Sequence, residues 1–266
     1  MYGDALLLEM VSDRDIVFAL KAMGDVDESR VPAMVQSIRD EPRILDALLD
    51  DGRLFEAIRQ GPDVLLHVSP YFYFSVLLRR ARRELHERTF TAEWLGPRHR
   101  VPVFDAHQVA EALGDAQRLH YLADLLASFT HVRDPKAVRT RGALPAAVAE
   151  PRRFNELNLS HLRELRGTVT AAADRFALER RLGDAALMLA GVFPDSARGA
   201  SEMDEWETET RQSYRQASRE PLARTAGLEE ILERLADDPR TARKALNFVA
   251  DRFLQPLRDS WFRRSA

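Results

Sequence analysis

SPYFYFSVLLRRARREL, running from Ser69 to Leu85, decides the fold. Ser69 followed by Pro70 reads as a helix start. The serine side chain can accept from a free N–H of the first turn, and proline at the first helical position gives up only an N–H that has no intrahelical partner. Four consecutive aromatics follow, Tyr71, Phe72, Tyr73 and Phe74. At about 100° per residue they sweep roughly 300° around the axis, so the helix opens without a polar face. The stretch therefore predicts a helix start that is buried, or that lines a pocket, inside a larger helical body.

The flanking sequence keeps the same period. Upstream, Ile16, Val17 and Leu20 recur at helical spacing before Gly24; Val31, Met34, Val35 and Ile38 repeat it; Pro42 opens a further helix with Ile44, Leu45, Leu48 and Leu49 inward. Downstream, residues 89–104 carry Gly96, Pro97 and Pro102 and read as a loop, with Val101 to Phe104 at most a short extended piece. Asp105 and Asp115 are placed to cap two helices joined at Gly114, the second with Leu119, Leu122, Leu126 and Phe129 in one stripe. Thr168 to Leu182 reads as a helix burying Val169, Ala172, Phe176 and Leu182; Asp184 to Val192 is apolar nearly all round and reads as central. Ser201 and Asp204 resemble a capping box. The fold class is all-α, with ten or more helices. An N-terminal lobe (1–131), a linker containing prolines and a glycine (132–153) and a C-terminal lobe (154–266) are expected, the lobes sharing one core, with a single domain, 1–266, as the alternative.

Composition bounds the function. The chain has 266 residues, 45% hydrophobic and 30% charged, and no cysteine, so disulfides, thiolate metal sites and thiol nucleophiles are excluded. Met1 to Met10 contains Asp4 and Glu9 and no basic region, unlike a secretory signal, and the longest apolar runs fall far short of the ~18 residues a membrane span needs. A cytoplasmic protein with no membrane insertion is expected; the arginine-over-lysine bias, with only three lysines, fits a GC-rich prokaryotic genome. Residues 1–66 hold 14 acids against 7 bases, which opposes general affinity for nucleic acid. Arg79, Arg80, Arg82 and Arg83 are interleaved with Glu84 and Glu87 and read as a self-compensated face.

Three sets of residues are candidates for chemistry. Tyr71 and Tyr73 are placed to line a cavity for an apolar or planar ligand, the competing reading being plain core. His107 with Glu111, and His120 with Asp124, each set an imidazole and a carboxylate one helical turn apart. If the two helices form an antiparallel hairpin, the four side chains can converge on Zn, Fe or Mn, although such pairs are common surface features. Phe253, Leu257 and Trp261 form a stripe at the C-terminus suited to a partner or a second copy. The acids Glu202, Asp204, Glu205, Glu207 and Glu209 surround Trp206, and suit either a helix N-terminus or a basic partner. Phosphate-binding glycine loops, dinucleotide fingerprints, nucleophile elbows and His-Glu-x-x-His are absent from the sequence.

One segment has a familiar pattern. Leu182-Gly183-Asp184, then Leu187, Leu189-Ala190-Gly191 and Phe193-Pro194, resembles a segment of uncharacterised all-helical proteins of bacteria and archaea. The resemblance spans 13 residues and implies no activity. Gly183 and Gly191 are expected to permit close backbone approach, and Gly191 offers an exposed backbone for a ligand as the alternative. The expectation overall is a helical protein that acts through a protein partner or as a homo-oligomer, in regulation or assembly, with no cofactor indicated. The alternative is an enzyme or sensor with an interhelical cavity for a small apolar ligand or a His/carboxylate metal.

Overall fold

The computed structural model describes residues 7–24, 26–60, 64–96, 99–130 and 157–255. After a helical turn at 7–10 come four short helices: α1 (Asp13–Met23), α2 (Val31–Asp40), α3 (Pro42–Leu49) and α4 (Gly52–Arg59). The aromatic stretch becomes α5 (Pro70–His86), and Tyr71, Phe72, Tyr73 and Phe74 are all buried. Its cap forms as the sequence asks, Ser69 Oγ accepting from Phe72 N at 3.2 Å. Asp15 closes a capping box with Ser12 at the start of α1. The same carboxylate accepts from Ser69 N at 2.6 Å and from Ser69 Oγ at 2.9 Å, although it is fully buried. One acid thus ties the starts of two helices together, which satisfies the buried charge with several donors.

Residues 91–96 and 99–103 pair antiparallel as a hairpin, β1 (Thr91–Gly96) and β2 (His99–Val103), where the sequence predicts a loop. Two strands carry too short an alternation to show in the sequence. They are held instead by the buried side chains of Thr91, Glu93 and Trp94. Pro102 is tolerated because in a two-stranded sheet every strand is an edge. The chain continues through α6 (Ala106–Gly114), α7 (Ala116–Phe129), α8 (Leu159–Arg166), α9 (Ala172–Val192), α10 (Ala200–Arg219), α11 (Pro221–Thr225), α12 (Glu229–Asp237) and α13 (Pro239–Val249), which ends in a π-helical turn, Ala250–Leu254.

The centre of the fold is α9, a single helix of 21 residues where the sequence suggests two segments. It begins later than expected, so Ala172 is exposed rather than buried. A Cβ on Gly183 would lie 2.6 Å from ring carbons of Tyr214, and one on Gly191 would lie 2.6 Å from Leu246 Cβ. Gly183 therefore seats α10, and Gly191 seats α13. Between them Asp184 accepts from Tyr121 Oη at 2.7 Å and Tyr214 Oη at 2.8 Å, joining α7, α9 and α10 in the interior. Asn247 donates to the carbonyls of Ala190 and Gly191 at 3.0 and 2.7 Å. The glycine–aspartate segment that resembles other helical proteins is thus a packing device.

A contiguous buried cluster runs from Leu7 to Leu254, so both lobes feed one core. The linker read at 132–153 lies outside the described residues. Two expected caps are replaced. Asp105 makes no cap bond and turns inward, and α10 starts after Gly199 without a side-chain cap, so Ser201 and Asp204 form no capping box.

Candidate recognition site

The inward turn of Asp105 builds a polar floor beneath the hairpin. Asp105 pairs with Lys244 Nζ and accepts from Thr91 Oγ1 at 2.5 Å. Beside it Glu93 takes Arg243 at 2.5 Å, Arg240 at 2.9 Å and Lys244 at 3.4 Å, and Arg243 reaches Glu207 at 2.5 Å. Arg243 and Lys244 are 1% and 3% exposed, so these charges are affordable only as a network. Burial pushes the Glu93 carboxyl up, but Arg243 and Arg240 outweigh it and the net shift is downward. Asp105 behaves alike: burial raises it, and the Lys244 and Thr91 bonds bring it below its usual value.

Above this floor lies a cleft of about 180 Å³, lined by Arg88, Phe90, Thr91, Ala92, Lys244, Asn247, Phe248, Asp251 and Arg252. Lys244, Asn247 and Phe248 share one face of α13, and the π-helical turn brings Asp251 and Arg252 to the same wall. A π turn holds one more residue than an α turn and often marks functional positions. It is pinned from both sides, Arg252 bonding Glu84 of α5 at 2.9 Å and Asp251 pairing with Arg100 of β2. The Arg88 guanidinium stands 5.1 Å from the Phe248 ring centroid.

Two phenylalanines flank the hairpin at its open end. Phe90 precedes β1 and Phe104 follows β2; their rings meet edge to face at 6.4 Å, and they are 46% and 83% exposed. Leu95 on β1 is 43% exposed. The cleft's polar floor, by contrast, is spent on the fold: Thr91 on Asp105, Lys244 on two carboxylates, and Asn247 on two carbonyls and Arg243. What the surface offers is apolar area and guanidinium groups.

The residues singled out from the sequence lie elsewhere. Tyr71 and Tyr73 are core, 2% and 5% exposed. Tyr71 Oη sits 2.7 Å from His120 Nδ1 with the rings stacked, and burial raises the Tyr73 phenol. His120 is itself buried; its pKa is pushed down to about 3, by burial first and by the Arg79 charge second, so it is a neutral hydrogen-bonding ring. Asp124 bonds Arg180 at 2.8 Å. His107 is exposed and faces His86, so the four-ligand set with Glu111 is not assembled: among the described residues no three His, Cys, Asp or Glu side chains group to hold a metal. α6 and α7 do follow one another across Gly114, but His120 points to α5 and Asp124 to α9. Gly191 is closed off by Leu246 rather than open to a ligand. Phe253 is half-buried, 5.5 Å from the Phe55 ring and 6.3 Å from Phe248; Leu257 and Trp261 lie outside the described residues.

Trp206 is buried and cannot anchor a partner. Glu209, below it, bonds Arg163 and Arg166 at 2.6 and 3.0 Å. Arg80 pairs with Glu84 one turn on at 2.9 Å, so the run compensates itself in part, while Arg79 is buried on Asp46 of α3 and Arg83 reaches Asp50 at 2.7 Å, joining it to neighbouring structure. No described helix is long and apolar enough to cross a membrane. No model of a known family matches the chain, and no similar curated protein or solved structure was found.

Proposed function

We propose that this protein acts by binding another protein through the mouth of the hairpin, in a regulatory or assembly role. The observation that carries the reading is the edge-to-face pair of Phe90 and Phe104, exposed beside a cleft. Leaving one phenylalanine in water forgoes roughly 1.5–3 kcal/mol of burial, and Phe104, 83% exposed, recovers little of it beyond its edge contact with Phe90. Partner surfaces recover that energy with aromatic anchors and arginines, the residues gathered here.

Size favours a protein over a small molecule. Ligand pockets commonly run to roughly 300–1,000 Å³, whereas this cleft is about 180 Å³, a size that suits a single side chain of a partner. The interior near Tyr71 and Tyr73, expected as the alternative cavity, is filled by packed rings. Selection of displayed random peptides against the full chain tests the reading. Enriched peptides are expected to bind Phe104→Ser at least tenfold more weakly. Peptides that bind both forms equally, or a selection that enriches nothing, would refute it.

A further inference from the structure

We propose that His86 and His107 form a chelating site for one divalent first-row transition ion, with its remaining coordination positions open to water or to an incoming side chain. His86 is the last residue of α5 and His107 lies in the first turn of α6, two helices that pack together, so rigid elements set the spacing. Both rings are exposed, and their Nδ1 atoms are 3.2 Å apart. With metal–nitrogen bonds of about 2.05 Å, that separation subtends about 103° at a shared ion. The value lies between the right angle of an octahedral site and the tetrahedral angle, so the Nδ1 spacing already suits a shared ion.

Ring orientation gives a second, separate indication. The centroids are 5.0 Å apart with planes at 76°. A straight Nδ1–H···Nδ1 bond of this length would hold them about 5.5 Å apart. The nitrogen axes are therefore bent off the line joining them, a bend that binding a common ion requires; without an ion the two rings are close enough to share one Nδ1 proton. The ends of α5 and α6 carry opposite dipole charge, so the imidazoles supply the affinity. Nitrogen ligands select Cu, Ni, Zn and Co over Mg and Ca. This is a different set from the one the sequence predicts: His107 keeps its place, and His86 stands where His120 was expected.

Isothermal titration of the full chain with Zn²⁺, and separately with Cu²⁺ and Mg²⁺, tests the site. One Zn²⁺ per chain is expected, with tighter Cu²⁺ and no Mg²⁺. His86→Ala and His107→Ala should each weaken Zn²⁺ at least tenfold, while His67→Ala, an exposed histidine distant in sequence, should leave it unchanged. Neither test substitution removes a buried ring, so folding is retained and circular dichroism verifies it. Absence of saturable Zn²⁺ uptake, or uptake that survives His107→Ala, would overturn the proposal.

Discussion

Asp184 is the residue on which the helical centre depends most. Its Oδ1 accepts from two phenols, Tyr121 at 2.7 Å and Tyr214 at 2.8 Å, and those side chains are 1% and 0% exposed. Replacing Asp184 with alanine strands two buried hydroxyls. At about 1–3 kcal/mol each, the loss is roughly 2–6 kcal/mol, a large share of the ~5–15 kcal/mol that stabilises a typical domain. Asparagine keeps the accepting oxygen. It forfeits the 3.7 Å attraction to Arg180, which retains Asp124, and it removes the cost of a buried charge. Asp184→Asn should therefore stay within about 1 kcal/mol of the natural chain. The assay is urea unfolding followed by circular dichroism at neutral pH. In the Asp184→Ala background, Tyr121→Phe with Tyr214→Phe should recover part of the loss, since removing both partners of a hydrogen bond costs less than removing one.

The same residue carries a pH signature. Burial, the largest influence, raises the Asp184 carboxyl above its ordinary value of 3.8, against the opposing pull of Arg180 and both tyrosines. The folded state thus binds this proton more tightly than the unfolded chain. Its contribution is fully present below the ordinary value and is lost as pH rises through the folded one. Relative to the natural chain, Asp184→Asn should gain stability as pH rises from about 4 toward neutrality. Equal losses for the alanine and asparagine variants, or a difference that does not vary with pH, would refute this account of the interior.

Other expectations follow from the same geometry. Gly183→Ala should cost about 1–3 kcal/mol by urea midpoint, because the Tyr214 ring 2.6 Å away is anchored through its hydroxyl and cannot yield. His120, held at about 3 in the fold against 6.5 ordinarily, contributes stability that is full above 6.5 and is lost as pH falls toward 3. Stability should thus decline below pH 6.5, and His120→Gln should flatten that slope in urea titrations at stepped pH. Glu93→Gln should cost roughly 3–5 kcal/mol in thermal or urea unfolding by leaving Arg243 short of a buried partner. Because the Glu93 carboxyl lies below its usual value, that stabilisation is present above the usual 4.5 and disappears as pH falls, so the natural chain should approach the variant in acid.

Long periodic elements were readable in the sequence. The Ser69–Pro70 start, the stripe of α7 and the buried character of Asp184 to Val192 all follow from helical spacing, which repeats often enough to be seen. The hairpin was not, because its two strands offer few alternating positions and contain Gly96 and Pro102. Missing it also hid the proposed recognition surface, since Phe90 and Phe104 come together only when the strands pair. The His107/His120 reading failed for a similar reason. Spacing within each helix shows which residues share a face but not which neighbour that face meets, and His120 meets Tyr71. Asp105 looked like an ordinary cap, and only the folded chain brings Lys244, 139 residues away, to its side. A signal for the mouth was present in two phenylalanines bordering a loop of glycine and proline, where an apolar ring has no local partner.

The central claim, that the hairpin mouth receives a protein, is tested most directly by placing a photo-crosslinking benzoylphenylalanine at single positions in living cells of the source. At position 104, and again at 90, one discrete adduct of the same mass and identity is expected. At Leu66, which is 64% exposed but does not line this cleft, no such adduct should form. No adduct at 104 and 90, or the same mixture from all three positions, would contradict the claim.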